Sequence, residues 1–188
     1  GFTVADDTMQ LMTNMVESGE ASALVADRVW KETEKALGEA HPQVFFETLR
    51  ACGALKVVFP EIDALFGIPQ PEKWHPEIDC GVHTLMVLEQ AAKLSEDLDE
   101  LYAGLVHDLG KATTDKSALP SHPGHETRGV KLVRKMAKRL PIPNGCRDLG
   151  CLAAEFHTHC HRAFELRPST ILKVLNSADA FRRPERFE

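Results

Sequence analysis

The stretch LYAGLVHDLGK, residues 101–111, places a His-Asp pair at the end of an apolar helix. His107 and Asp108 can converge on one cation, because neither side chain has to reach past a neighbouring helical turn. Gly110 then lets the backbone turn away, and Lys111 follows where its ammonium can meet a phosphate oxygen. A His-Asp dipeptide alone arises by chance, so the rest of the chain decides what it means.

Two further helices each carry one metal-ligand residue type at a mostly apolar position. His83 stands one turn into a helix predicted for residues 82–94, and Asp179 follows Leu175 by four residues on the last predicted helix. Burying one such polar group without a partner costs roughly 2 kcal/mol or more. A metal shared with the His-Asp pair explains all four residues together. The alternative is that each is a core His with its own hydrogen-bond partner, or an Asp that caps a helix.

The remaining segments also show helical spacing and little alternation, which predicts an all-α fold. We expect helices over residues 21–37, 97–107 and 125–140, others starting at Pro42, at an Asn144 N-cap and after Pro168, and Trp30 and Trp74 in the core. Residues 59–76 contain four prolines and a glycine, which indicates a connecting loop and a domain boundary.

Composition limits the class of protein. A net charge of −6 argues against a surface dominated by nucleic-acid binding, although Arg28, Lys31 and Lys35 form one basic row that is either solvated or in contact with phosphates. The 5 cysteines form no CxxC pair, so a disulfide framework or zinc ribbon is not indicated and a reducing cytoplasm is the simpler reading. No apolar run suggests a membrane span. The chain starts at Gly1 without an initiator Met, and we expect it to be a piece of a longer protein.

The order His83, then His107-Asp108, then Asp179, with Gly-Lys after the pair, resembles the HD superfamily of metal-dependent phosphohydrolases. The resemblance covers residues 80–182. It implies a helical HD domain there, with the divalent metal held by His83, His107, Asp108 and Asp179.

Three other segments look like the bacterial CCA-adding tRNA nucleotidyltransferases of the multifunctional, HD-bearing type: residues 28–32, residues 55–66 and residues 74–79. The resemblance implies that residues 1–72 are a helical neck and body. It also implies a nucleotide-adding head, dependent on magnesium and absent from this chain, that adds and repairs the tRNA 3′-CCA end. In that family the HD domain has phosphatase, 2′-nucleotidase and 2′,3′-cyclic phosphodiesterase activities associated with nickel, and the ligand mix suits nickel or another transition metal.

Several other side chains are candidates for the same site. His125 and His157 are predicted catalytic residues together with His107, Asp108 and Lys111. HD proteins place further histidines near a second metal or the phosphate where His125 lies, and His157 follows Ala153 on the apolar side of its helix. His122 is a weaker candidate, and a solvated loop histidine is its alternative. His157, His159, Cys160 and His161 form an alternative metal cluster, although side chains two apart on a helix diverge.

These observations predict hydrolysis of a phosphomonoester or a 2′,3′-cyclic nucleotide by a water that a metal activates. The expected partner is the tRNA 3′ end, in the cytoplasm and without a membrane. One rival is a catalytically silent HD module that only helps to position tRNA. The other is an HD nucleotide hydrolase of another family, acting on (p)ppGpp or dNTPs.

Overall fold

A computed structural model describes residues 3–184 of the chain. Within that range every regular element is helical and no strand is formed, so the all-α prediction is confirmed. The α-helices are α1 (Asp6–Glu17), α2 (Ala26–Leu37), α3 (Gln43–Ala51), α4 (Ala54–Val58), α5 (Pro60–Asp63), α6 (Cys80–Leu94), α7 (Leu98–Val106), α8 (His125–Arg139), α9 (Asn144–His161) and α10 (Pro168–Ser177). Short 3-10 helices occupy Glu20–Ala23, Leu109–Thr113, Lys116–Ala118 and Ala163–Glu165.

Three predicted helix starts were wrong in detail. The segment 21–37 is divided into a 3-10 turn and α2, because Leu24 and Val25 adopt extended backbone between them. Pro42 precedes α3 as its N-cap residue, and Asn144 is the first residue of α9 while Pro143 occupies the N-cap. Proline has no amide hydrogen to leave unsatisfied, which explains why it is tolerated at these helix starts.

One hydrophobic cluster extends through both halves of the chain. It includes Trp30 on α2, Phe46 on α3 and Tyr102 on α7, and the rings of Trp30 and Tyr102 meet edge to face with centroids 5.9 Å apart. Trp74, predicted to lie in the core, is instead 70% exposed, with the Lys73 ammonium 4.4 Å from its ring centroid. Its position in the loop before α6 explains the error, since apolar character alone does not bury a loop residue.

Aspartate caps fix the start of the two helices that lead to the His-Asp pair. The Asp79 carboxylate accepts hydrogen bonds from the amides of Gly81 and Val82 at the start of α6. Asp97 accepts from the amides of Asp99 and Glu100 at the start of α7. Each cap satisfies amides that have no partner within the helix, at a gain of about 1 kcal/mol.

Gly110 has a different role from the one predicted. It does not have the left-handed backbone that only glycine adopts easily. Instead, a Cβ atom at Gly110 would lie 1.8 Å from the carbonyl oxygen of His125 and 2.6 Å from the amide nitrogen of Gly129. The glycine therefore lets the chain after Asp108 approach the backbone of α8. No helix within residues 3–184 combines the length and apolar character needed to cross a membrane.

Candidate metal centre

Four helices deliver five metal-ligand side chains to one place. His83 comes from the first turn of α6, while His107 and Asp108 follow the end of α7. His125 is the first residue of α8, and His157 lies near the end of α9. Asp108 is at the centre and is 1% exposed.

The two oxygens of Asp108 face different pairs of imidazoles. Oδ2 lies 3.1 Å from His107 Nε2 and 3.8 Å from His83 Nε2. Oδ1 lies 3.2 Å from His157 Nε2 and 3.5 Å from His125 Nε2. The carboxylate therefore belongs to two groups of three donors, each compact enough to hold a metal ion.

Each of the four imidazoles is oriented by a hydrogen-bond acceptor at its Nδ1 atom. Carbonyl and carboxylate oxygens only accept, so the neutral ring carries its proton on Nδ1 and leaves an unprotonated Nε2 facing Asp108. Such outer partners are typical of metal-ligating histidines. The pairs are His83 with Glu77 Oε1 at 2.6 Å, His107 with Gly104 O at 2.8 Å, His125 with His122 O at 2.7 Å, and His157 with Ala153 O at 2.9 Å.

The resulting cluster has lone pairs without donors between them. The Nε2 atoms of His125 and His157 are 3.2 Å apart, and Asp108 Oδ1 is buried without a hydrogen-bond donor in the described chain. An imidazole that carries its single proton on Nδ1 has no proton on Nε2 to donate to Oδ1, despite the short distance. Converging, unprotonated nitrogens beside a carboxylate fit a divalent cation, and the mixed set of ligands favours a transition metal over Mg²⁺.

A second set of contacts joins the loop before α6 to the cluster. Lys111 is only 6% exposed. Its ammonium lies 2.7 Å from Asp108 Oδ2 and donates to Gln70 Oε1 at 2.9 Å. The Gln70 amide then donates to Glu77 Oε1 at 3.3 Å, the same oxygen that contacts His83. Asp108 and His83 are thus held from outside by one continuous hydrogen-bonded chain of three side chains.

Burial and charge shift the titration of these groups in opposite directions. Burial lowers the pKa of His83, and the neighbouring His107 lowers it further. Burial also lowers the pKa of His125. Burial opposes the charged forms of His107 and Asp108, but their mutual attraction raises the His107 pKa and, with Lys111, holds the Asp108 pKa well below its usual range. His83 and His125 are therefore neutral near pH 7, as metal binding requires.

Comparison with known proteins agrees with this geometry. Residues 81–183, more than half of the chain, match the family model described as "HD domain". The chain belongs to the HD domain family. Ahead of the HD domain, residues 1–66 match the family model described as "Probable RNA and SrmB- binding site of polymerase A".

Relatives at high identity cover the HD domain and the segment before it. A "Multifunctional CCA protein" of Thioalkalivibrio sulfidiphilus is 61% identical over 188 residues, which is all of this chain and 46% of the relative. Proteins of the same name from Vibrio campbellii and Pseudoalteromonas atlantica are 56% and 54% identical, again over 100% of this chain and 46% of their own length. The chain therefore spans less than half the length of these relatives.

The HD domain brings four of the predicted site residues, His83, His107, His125 and His157, around a fifth, Asp108, and Lys111 also contacts the Asp108 carboxylate. Asp179 forms ion pairs with two arginines: its carboxylate lies 2.7 Å from Arg182 Nε and 3.2 Å from Arg183 Nε. It follows α10 in a left-handed backbone conformation, with φ of 57°, and belongs to none of the compact donor groups among residues 3–184. Its role as a metal ligand stays a prediction.

The other candidate histidines have structural neighbours instead. His122 contacts Thr114 Oγ1 at 2.8 Å and the Pro69 carbonyl at 3.0 Å, so it connects two loops beside the site. His159 packs edge to face against Phe156, and His161 is exposed. Within the described chain, neither of them, nor Cys160, joins a compact donor group with His157.

Sequence reasoning missed the contribution of the loop between α5 and α6. Gln70 and Glu77 hold Lys111 and His83, and His75 lies beside them with its ring centroid 4.6 Å from that of His83. A polar Gln and Glu beside prolines look like ordinary solvated loop residues. The isolated antiparallel bridge between Pro69 and Asp79 folds this loop back. Only this tertiary contact shows that the two side chains lie against the site.

Proposed function

We propose that this chain is a metal-dependent phosphohydrolase that acts on 2′,3′-cyclic phosphodiesters and phosphomonoesters of nucleotides. The observation that carries the proposal is the buried Asp108 carboxylate, with two pairs of imidazole Nε2 atoms directed at its two oxygens. A purely structural cluster would fill these positions with hydrogen-bond donors. Nickel or another divalent transition metal is the ion that we expect, because imidazole and carboxylate ligands suit it.

His83, His107 and Asp108 would hold the metal, and His125 and His157 form a second donor set on the other oxygen of Asp108. A bound divalent ion would polarise a phosphoryl oxygen and lower the pKa of a water molecule. In the reaction the water oxygen bonds to phosphorus, one P–O ester bond breaks, and a proton passes to the leaving oxygen. Lys111 holds Asp108 as a carboxylate, since its ammonium lies against Oδ2.

The whole protein is expected to have a wider activity than this chain. Its relatives are named multifunctional CCA proteins, and they are more than twice as long as the segment that matches them. We propose that the longer protein adds and repairs the tRNA 3′-CCA end in the cytoplasm, with magnesium in a head domain outside this chain. The match of residues 1–66 to an RNA-binding family model supports tRNA as the partner.

Metal analysis and hydrolysis of 2′,3′-cyclic AMP by the purified chain test the proposal. We expect at least one divalent ion bound per chain, and activity that a chelator removes and nickel restores. Asp108→Asn and His157→Ala should lower kcat/KM by more than about 100-fold, because even outer partners of metal ligands are worth 10–100-fold. Asp179→Ala in the same assays decides whether Asp179 is a ligand.

His161→Ala is the matched control, since His161 is exposed and lies one turn beyond His157 on the same helix. It should keep wild-type metal content and activity. A chain that binds metal but hydrolyses neither cyclic nor linear nucleotides would contradict the proposal and leave a module that only positions tRNA. Faster hydrolysis of dNTPs or (p)ppGpp than of cyclic nucleotides would point instead to an HD nucleotide hydrolase.

A further inference from the structure

The charged side chains on the outward face of α8 are almost all basic. The helix contains six Lys and Arg residues and one acidic residue, Glu126, in a protein whose net charge is −6. Five of the six are exposed, and four of these five form the basic face of α8: Lys131, Arg134, Lys135 and Lys138. Within residues 3–184 no carboxylate lies within ion-pair distance of any of them. Arg128 and Arg139, by contrast, are held by Thr113 and Glu61.

The helical period places these residues opposite the buried side of α8. At 100° per residue, the buried Gly129, Val133 and Met136 lie within one narrow sector, and the basic face is centred roughly opposite it. Like charges three and four residues apart, such as Lys131 with Lys135, repel each other and destabilise a helix. A bound polyanion would remove this repulsion between the lysines.

Another basic row on the chain lacks this character. The sequence of α2 carries Arg28, Lys31 and Lys35, but three acidic residues alternate with them, and Lys35 pairs with Glu32 at 2.8 Å. Mixed signs of this kind are typical of a solvated helix face. All four charges on the basic face of α8 are positive, which suits a partner with repeated negative charges.

The basic face begins close to the candidate metal centre. His125, the first residue of α8, has its Nε2 3.5 Å from Asp108 Oδ1. With a rise of 1.5 Å per residue, Lys131 and Lys138 lie about 9 Å and about 20 Å farther along the helix axis. Arg128 lies between His125 and Lys131 in the first turn, where it donates to the Pro123 carbonyl. About 20 Å corresponds to roughly six nucleotide steps of a stacked strand at 3.4 Å each.

We propose that the basic face of α8 binds the phosphate backbone of an RNA strand whose 3′-terminal phosphate reaches the metal centre. The proposal rests on the proposed hydrolase function for the position of the RNA end, whereas the binding of RNA by α8 can be measured without any hydrolysis. It assigns to the HD domain an RNA contact outside residues 1–66. Affinity then depends on the length of the RNA and on salt, and a mononucleotide does not use this surface.

The test compares two double charge reversals of equal size in the full 188-residue chain. Lys131→Glu/Lys135→Glu changes the basic face, and Lys93→Glu/Lys173→Glu places the same charge change on exposed lysines of α6 and α10 that each already face a Glu. Fluorescence anisotropy measures binding of RNA oligonucleotides of two to ten nucleotides that end in a 2′,3′-cyclic phosphate. Hydrolysis of 2′,3′-cyclic AMP is measured in parallel, and circular dichroism checks helix content.

For wild type we expect affinity to rise with RNA length up to about six to eight nucleotides. Each single-strand phosphate contact contributes about 0.7 to the salt slope, so losing two contacts weakens binding by about 25-fold at 0.1 M salt and lowers the slope by about 1.4. The control variant should bind within about 3-fold of wild type, and all three proteins should hydrolyse cyclic AMP equally.

Unchanged RNA binding by the α8 variant overturns the proposal, as does an equal loss in the control variant. Binding of anionic phospholipid vesicles through the same lysines without binding of RNA would assign the surface to a membrane and also overturns it. Absence of cyclic AMP hydrolysis in wild type would contradict the hydrolase function, and the anisotropy series would still decide whether α8 binds RNA.

Discussion

Replacing Lys111 by Met tests whether this lysine holds the metal-binding carboxylate in place. The methionine has nearly the same length and no charge, so it removes the ammonium that lies 2.7 Å from Asp108 Oδ2 with little change in packing. Asp108 is 1% exposed, so little solvent is available to replace the lost partner. The variant should fold with a buried, incompletely compensated carboxylate.

The magnitude follows from the burial of both groups. Removing one partner of a buried ion pair costs about 3–5 kcal/mol, because the other charge stays buried. For a protein of this size each kcal/mol shifts Tm by roughly 2–4 °C, so the expected fall is about 6–20 °C. A divalent cation bound beside Asp108 supplies the missing positive charge, and saturating nickel should recover most of the loss.

The assay is thermal and urea unfolding followed by circular dichroism, at pH 7, with a chelator and with nickel. Lys93→Met is the matched control: its ammonium pairs with Glu89 at 3.0 Å but is half exposed, so its loss should cost less than about 1 kcal/mol. The double variant Asp108→Asn/Lys111→Met should be more stable than Lys111→Met alone. A Lys111→Met chain within about 0.5 kcal/mol of wild type in chelator would refute the reasoning.

Two further changes test the surroundings of the site. Glu77→Ala removes the acceptor that lies 2.6 Å from His83 Nδ1 and orients this ring. Metal affinity measured by titration calorimetry should therefore fall 10–100-fold, and the affinity of Glu77→Gln should lie between that of Glu77→Ala and that of wild type. Equal affinities in all three chains would show that Glu77 does not position His83. Gly110→Ala places a methyl group against the His125 carbonyl and the α8 backbone. We therefore expect the free energy of unfolding, measured in urea, to fall by at least about 2 kcal/mol, and metal binding to be lost. The matched change Gly38→Ala meets only atoms at 3.5 Å or more and should leave both properties near wild type.

The sequence alone determined the helical class of the fold and the importance of the His-Asp pair. Apolar spacing along α6, α7 and α8 is a local property, because a helix must bury one face whatever it packs against. The adjacency of His107 and Asp108 is equally local. The resemblance to HD proteins then followed from the order of residues along the chain, and the family match confirmed it.

Only the tertiary structure decided how the donors divide around Asp108. Which carboxylate oxygen faces which imidazole depends on the relative placement of four helices, and sequence spacing does not contain that information. The burial of Lys111 and the reach of Glu77 depend on a loop folding back onto another element. Hydrogen bonds between residues 41 positions apart, such as that from Lys111 to Gln70, arise because packing brings distant segments together, and no periodicity along the chain encodes them.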